Sequence, residues 1–289
     1  MAVWPSILQA VSAVLLFSVS DALAKLLRAS LPAVEIAWLR YLTFTGFAIV
    51  LAARGRFAGL WPKRPDLQAL RGVTLVGSAV FFITGLSQLQ IAEASAISFV
   101  SPAFITALSI PFLGETVGVR RWAAVLAGLA GVLIVIRSGV GALQSAAVFP
   151  LLSAICWAIA IIVTRRMGTR DRSETTLFWS ALVGLLSLTV MLPFGFVPPT
   201  LGQVGVGAMI GLVASIGQYL LILAYRRTTA SLLAPFSYAQ LLSSTLLGYM
   251  VFDAIPDGAT FLGAAVIIAS GLYTVHRERI RARVKAAGV

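Results

Sequence analysis

The stretch AEASAISFVSPAFITALSIPF, residues 92–112, holds one ionisable side chain, Glu93, and a proline at its centre, Pro102. Crossing the hydrocarbon core of a bilayer takes about 20 mostly apolar residues in helical form. The stretch therefore reads as a membrane span interrupted near half-depth. Outward from it, apolar runs separated by Gly, Pro and charge recur along the whole chain. They predict ten spans: Pro5–Leu27, Val34–Ala53, Ala69–Leu89, Ala92–Phe112, Val119–Ile136, Ala147–Thr164, Thr175–Pro193, Val204–Ala224, Thr229–Val251 and Gly258–His276. The expected fold class is an all-α membrane protein of ten transmembrane helices.

Composition leads the same way. The chain is 59% hydrophobic and 11% charged, with a mean hydropathy of +0.97, whereas a soluble domain is roughly 45–50% apolar and 25% charged. Lipid is the expected solvent, and the short connections leave no room for a soluble catalytic domain. The formal charge of +12 could suggest nucleic acid as a partner. The basic residues lie between apolar runs rather than on a polar face, so they read as a topology signal and the bilayer is the expected partner.

All Lys and Arg residues but four fall on alternate connections and the C-terminal end: Arg54, Arg56, Lys63, Arg64 and Arg71; Arg120 and Arg121; Arg165, Arg166, Arg170 and Arg172; Arg226 and Arg227; then Arg277, Arg279, Arg281, Arg283 and Lys285. The opposite side keeps Lys25, Arg28, Arg40 and Arg137. Basic loops stay in the cytoplasm, so both termini are expected there and the span count must be even.

The single cysteine, Cys156, rules out an intrachain disulfide and a cysteine metal cluster. Ala22-Leu23-Ala24 follows an apolar stretch like a cleavage site, but no Lys or Arg precedes that stretch and Asp21 adjoins the triplet. The segment is expected to stay as the first span.

Phe17 through Lys25 resembles Trp157 through Arg165: an aromatic, a small apolar run, then a base. Likewise Ala94-Ser95 and Leu113-Gly114-Glu115 answer to Ala230-Ser231 and Val251-Phe252-Asp253. If each half holds five spans, the second must enter the membrane from the opposite side. Inverted repeats of this kind underlie many alternating-access transporters, with substrate held near the midplane by interrupted helices. Pro102 and Pro235 supply the interruptions.

The run Phe99-Val100-Ser101-Pro102-Ala103-Phe104 leading to Phe112-Leu113-Gly114-Glu115-Thr116, and the opening Phe17 to Lys25 with Glu35-Ile36-Ala37-Trp38-Leu39-Arg40-Tyr41, resemble the drug/metabolite transporter superfamily, EamA type. The resemblance spans essentially the whole chain and departs at Phe252-Asp253, where the family commonly has a Gly-Glu pair. It implies two five-helix inverted repeats around a central cavity, residues 1–137 and 145–276, followed by a basic cytoplasmic tail, 277–289. It also implies a multi-pass protein of the bacterial inner membrane that moves amino acids, purines, sugars, riboflavin or S-adenosylmethionine without a cofactor.

Phe17, Pro102, Trp157 and Gln240 fall near half-depth, two from each half, and are expected around the substrate; the aromatics could equally be packing. Gln240 needs hydrogen-bond partners away from water and either joins helices or faces a wet cavity. Ser98, Ser101, Gln218, Tyr219, Ser237 and Tyr238 add neutral polar groups. Asp21 and Lys25 are an i,i+4 acid–base pair, read either as an intrahelical ion pair or as a proton-coupling site, because ionisable groups within a span are costly. Arg40 either pairs with Glu35 or Asp21 or attracts an anionic substrate group. Glu115 reads as a loop charge. The small faces Ala123, Ala127, Gly131 and Gly263, Ile267, Gly271 suit close helix packing within the chain, or alternatively a dimer; a monomer is favoured.

Among functions, a secondary transporter of small amphiphilic metabolites is expected, with export of amino acids, aromatic ones included, as the leading reading. Uptake of riboflavin, S-adenosylmethionine or a nucleoside-like compound is the alternative. An intramembrane enzyme is disfavoured: His276 is the only histidine, no zinc-binding cluster is present, and there is no GxSG or GxGD sequence. No Walker A sequence is present, so ATP would have to be hydrolysed by a separate subunit and ion coupling or simple facilitation is expected; without a Cys or His/Glu cluster no metal is expected.

Overall fold

The computed structural model describes residues 4–54, 60–114, 119–137, 145–167, 171–227 and 239–286. Among them every regular element is a helix: α1 (Trp4–Arg28), α2 (Ala33–Arg54), α3 (Pro65–Gly85), α4 (Ile91–Ser98), α5 (Ser101–Leu113), α6 (Val119–Arg137), α7 (Val148–Met167), α8 (Ser173–Met191), α9 (Leu201–Arg227), α10 (Ala239–Phe252) and α11 (Gly258–Ala286), with a short 3-10 turn at Leu192–Phe194. Seven stretches are long and apolar enough to cross a membrane: α1, α2, α3, α4 with α5, α7, α8 with its 3-10 turn, and α9 as far as Leu221. Ala239–Phe252 and Gly258–Ser270 are shorter apolar helices.

Helix ends follow local chemistry. Pro65 opens α3, where its missing N–H costs nothing, and Arg64 grips Asp66 through two bonds of 3.0 and 2.7 Å at the exposed start. The Glu93 carboxylate accepts the Gln90 N–H at 2.9 Å and so closes the first turn of α4. The stretch quoted first is broken where expected. Pro102 has no N–H to offer the turn before it, so α4 stops at Ser98 and α5 restarts at Ser101 with the proline in its first turn.

Gly114 ends α5 in the left-handed region, φ 68°, with its N–H on the Ile110 carbonyl at 3.1 Å. At the end of α10 the same conformation falls to Asp253, φ 51°, whose N–H bonds Tyr249 O at 3.0 Å. The expected correspondence of Asp253 with Glu115 is thus displaced: in backbone terms Asp253 does the work of Gly114. Glu115 itself lies outside the described residues.

In the bundle α1 packs on α9, α3 on α7 and α6 on α11. Helix α2 packs on α8 and α9, α8 also on α3, and α10 on α1 and α4. The short α4 touches α1, α6, α7, α10 and α11 and is the common neighbour of both halves.

Glycine sets the closest approaches: a Cβ on Gly131 would lie 2.8 Å from the Gly263 carbonyl oxygen, and one on Gly211 would lie 2.5 Å from that of Arg40. The small face around Gly131 is therefore spent inside the chain, against α11. Leu, Val, Ile and Met side chains on the outer faces of α1, α2, α8, α9 and α10 are exposed. In lipid such a surface is solvated, and the backbone polar groups beneath it are satisfied within each helix.

Candidate substrate site

Asp21 is the one acidic residue of α1 and is 9% exposed. A carboxylate so placed needs a partner, since an unpaired buried charge is costly. One comes from α10: Gln240 Nε2 donates to Asp21 Oδ2 at 3.3 Å. One helical turn earlier Ser18 extends the same contact. Its hydroxyl lies 2.5 Å from that of Ser243 and 3.4 Å from that of Ser244, and Ser95 on α4 donates to Ser244 at 3.2 Å. A seam of neutral hydroxyls thus ties α1, α4 and α10 together around one carboxylate. At the far end of α4 the Ser98 hydroxyl is buried and has no hydrogen-bond partner among the described residues.

The expected acid–base pair within α1 is not made. Lys25 turns to the end of α3, where its Nζ donates to the carbonyls of Leu86, at 3.4 Å, and Leu89, and it lies 5.6 Å from the centre of the Phe252 ring. Leu86 caps α3 and Leu89 lies in the turn before α4, so their carbonyls stand outside the helix ladder and accept the ammonium, while the Asp21 carboxylate is engaged by Gln240. Arg40 acts on Asp21 through its charge. No ion pair or hydrogen bond of its side chain is formed with any described residue. Glu35, the other expected partner of Arg40, is buried and accepts the Val197 N–H at 3.1 Å instead.

Phe17 is half-buried against α9, where a Cβ on Gly217 would lie 3.0 Å from its ring. Tyr219 is half-buried and meets Phe47 edge-on at 6.3 Å, and Gln218 beside it is half-buried on α9. Trp157 is half-buried on α7, which packs on α3, α4 and α5. Its helix meets the α1–α10 seam through α3 and α4, both of which touch α1. Ser101 is half-buried at the start of α5, beside the helix position of Pro102. Tyr238, Ser237 and Pro235 lie outside the described residues.

A second polar cluster escaped the sequence reading. Arg71, counted there as a loop charge, is 6% exposed and inside α3. Its Nε donates to Thr164 Oγ1 on α7 at 2.8 Å, and a terminal nitrogen donates to Ser180 Oγ on α8. Gln68, one turn before it and fully buried, donates to Asp171 Oδ2 at 2.9 Å and to Thr176 Oγ1 at 3.2 Å. The available signal was the i,i+3 spacing of Gln68 and Arg71, which puts both on one helix face.

The apolar helices, together with the family and the bacterial transporters this chain matches, mark it as a multi-pass transporter of the bacterial inner membrane. Residues 4–137 and 144–275 match the EamA-like transporter family, and the chain belongs to it. It is 30% identical over 258 residues to a riboflavin transporter of Rhizobium johnstonii, covering 89% of this chain and 85% of that protein. It is 28% identical over 266 residues to an S-adenosylmethionine uptake transporter of Rickettsia bellii, covering 91% and 90%. It is also 28% identical over 264 residues to a pseudopaline exporter of Pseudomonas aeruginosa, covering 91% and 93%. A solved crystal structure at 23% identity superposes with a TM-score of 0.70 over 95% of this chain and 97% of that one, which marks a common fold.

Proposed function

We propose that this protein is a secondary transporter that carries small amphiphilic metabolites by alternating access, as a facilitator or coupled to protons. Its leading cargo is an amino acid, aromatic ones included, moved outward. The observation that carries the reading is the Asp21–Gln240 bond, because it joins an early helix to a late one through a buried carboxylate amid neutral hydroxyls. A purely structural seam in lipid has no need of an ionisable group, whereas a transport path uses one. Phe17, Ser98, Ser101, Pro102, Trp157, Gln218, Tyr219, Tyr238 and Gln240 would line the substrate, with Asp21, Lys25 and Arg40 governing coupling or gating.

The architecture proposed for this cycle is ten spans in two inverted five-helix repeats, residues 1–137 and 145–276, with both termini and the 277–289 tail cytoplasmic. Helix pairing supports it. Counting α4 and α5 as one span, exchange of the halves turns the α1–α9 pair into α7–α3, the α1–α10 pair into α7 with α4 and α5, and α2–α9 into α8–α3, while α2–α8 and α6–α11 map onto themselves. Gly131 and Gly263 are used within the chain, which favours a monomer. The chemistry proposed is movement of cargo without an enzymatic step.

Uptake is the second reading, favoured by the named riboflavin and S-adenosylmethionine relatives. Counterflow in proteoliposomes tests both, with labelled amino acids, riboflavin and S-adenosylmethionine, with and without a pH gradient. Saturable exchange of an aromatic amino acid, lost in Gln240→Leu or Trp157→Ala protein that still inserts, supports the first reading. Exchange of riboflavin alone moves the cargo to the second, and unimpaired exchange in both variants removes the site.

A further inference from the structure

We infer that Asp21 and Arg40 form a split-charge seat for a zwitterion, the ligand's cationic group resting on the Asp21 carboxylate and its anionic group on the Arg40 guanidinium. The inference rests on the transport reading above and names the cargo that the site selects.

Helix α9 brings the two residues to one level. Ser20, next to Asp21, donates its hydroxyl to the Ile210 carbonyl at 3.3 Å. The Arg40 carbonyl lies against Gly211, the next residue of α9, where a Cβ would approach it to 2.5 Å. Consecutive residues of one helix thus meet the Ser20 hydroxyl and the Arg40 backbone, which sets Asp21 and Arg40 at one level of α9. Gly217 seats α1 on the same helix further along, against Phe17 and the Ala13 carbonyl.

Held this way, the charges do not neutralise each other by contact. No ion pair within 4.0 Å joins Asp21 to Arg40 among the described residues; Asp21 is buried and Arg40 half-buried. Asp21 has a carboxamide as its partner, Lys25 has turned to the end of α3, and Glu35 has taken the Val197 N–H. The Arg40 side chain forms no hydrogen bond with any described residue. A buried carboxylate and a half-buried guanidinium without a protein ion pair gain most from a ligand that carries both complements. A ligand with only a cationic group leaves Arg40 unpaired, and one with only an anionic group meets the Asp21 carboxylate. Such mismatches create selectivity against singly charged compounds. The neutral hydroxyls of Ser18, Ser243 and Ser244 beside Asp21 add donors and acceptors without adding charge.

The test is equilibrium binding to detergent-purified full-length protein, read by intrinsic tryptophan fluorescence. Five probes are used: L-phenylalanine, phenethylamine, 3-phenylpropionate, S-adenosylmethionine and riboflavin. The first three share a ring and differ in charge. Expected is binding of L-phenylalanine or S-adenosylmethionine, with the two singly charged phenyl compounds about ten- to a hundredfold weaker than L-phenylalanine where that is the ligand. Asp21→Asn should lower zwitterion affinity by a similar factor while improving 3-phenylpropionate relative to L-phenylalanine. Arg40→Gln should shift the preference toward phenethylamine. A merely structural role predicts no such opposite shifts, and the wild-type series stands even if a variant fails to fold. Equal binding of the three phenyl compounds, binding of riboflavin alone, or binding of none of the five overturns the seat. Counterflow of the bound compound separates the two ideas: binding without exchange overturns transport and leaves the seat, and exchange indifferent to ligand charge does the reverse.

Discussion

Arg71 on α3 donates from Nε to the Thr164 hydroxyl on α7 at 2.8 Å, and that hydroxyl in turn donates to Ala160 O at 2.6 Å within its own helix. Ser180, the second acceptor, likewise donates to Thr176 O at 2.6 Å. Both hydroxyls therefore keep a satisfied proton if Arg71 is removed. The main loss is the volume of a long buried side chain together with two charge-assisted bonds. Arg71→Ala is expected to cost about 2–5 kcal/mol, as other large-to-alanine changes in a tight interior do. Arg71→Met, which refills the space and removes a buried charge, should cost about 1 kcal/mol. Thermal melts in detergent compare the two, and equal losses would show that packing is not what Arg71 supplies.

Lys25 and Asp21 share a helix but serve different neighbours, so their substitutions should act independently. In a double-mutant cycle of Lys25→Met and Asp21→Asn, the coupling energy is expected below about 0.5 kcal/mol. Lys25→Met alone should cost about 1.5–3 kcal/mol, because the Leu86 and Leu89 carbonyls lose an ionised donor. A coupling above that threshold would restore the pair within α1.

Glycine positions separate by what a side chain would meet. Gly211→Ala and Gly131→Ala drive a methyl toward backbone oxygens that cannot step aside, and each should destabilise by about 1–3 kcal/mol. Gly46 and Gly205, inside α2 and α9, have nothing within 4 Å of the new methyl. There alanine should be neutral or stabilising by up to about 1 kcal/mol, since it loses less backbone freedom in a helix. Melting temperatures of the four variants must split into these two groups for the packing described here to hold.

Topology is open to cysteine labelling in a Cys156→Ser background. A membrane-impermeant maleimide added from the periplasm should label Pro198→Cys and leave Lys63→Cys and Arg281→Cys untouched until the cells are opened. Labelling of all three from one side would refute the ten-span arrangement.

Helices, their order and their environment were legible in the sequence because they rest on near-neighbour physics. Twenty apolar residues in lipid must satisfy their own backbone bonds and so become helical. Pro102 interrupts its helix because of what its ring does to the preceding turn. The EamA-type resemblance was legible for the same reason: the motif Phe99 to Phe104 is local. The Asp21–Lys25 pair was also inferred locally, and there the inference failed. The nearest opposite charge along a helix competes with the carbonyls of Leu86 and Leu89 in the turn that follows another helix, which sequence spacing does not reveal.

The amino-acid sequence by itself determined that this chain lives in lipid, that it folds as helices, and which residues are too polar for that solvent to go unpartnered. Only the tertiary structure decided who the partners are. It set Gln240 on Asp21, Leu86 and Leu89 on Lys25, and Thr164 and Ser180 on Arg71, and it removed Arg71 from the loops to the interior. The physical reason is that burial of a polar group is a local cost, written in the residue type. Its compensation depends on which helices pack together, and glycines such as Gly211 and Gly217 settle how closely they do so.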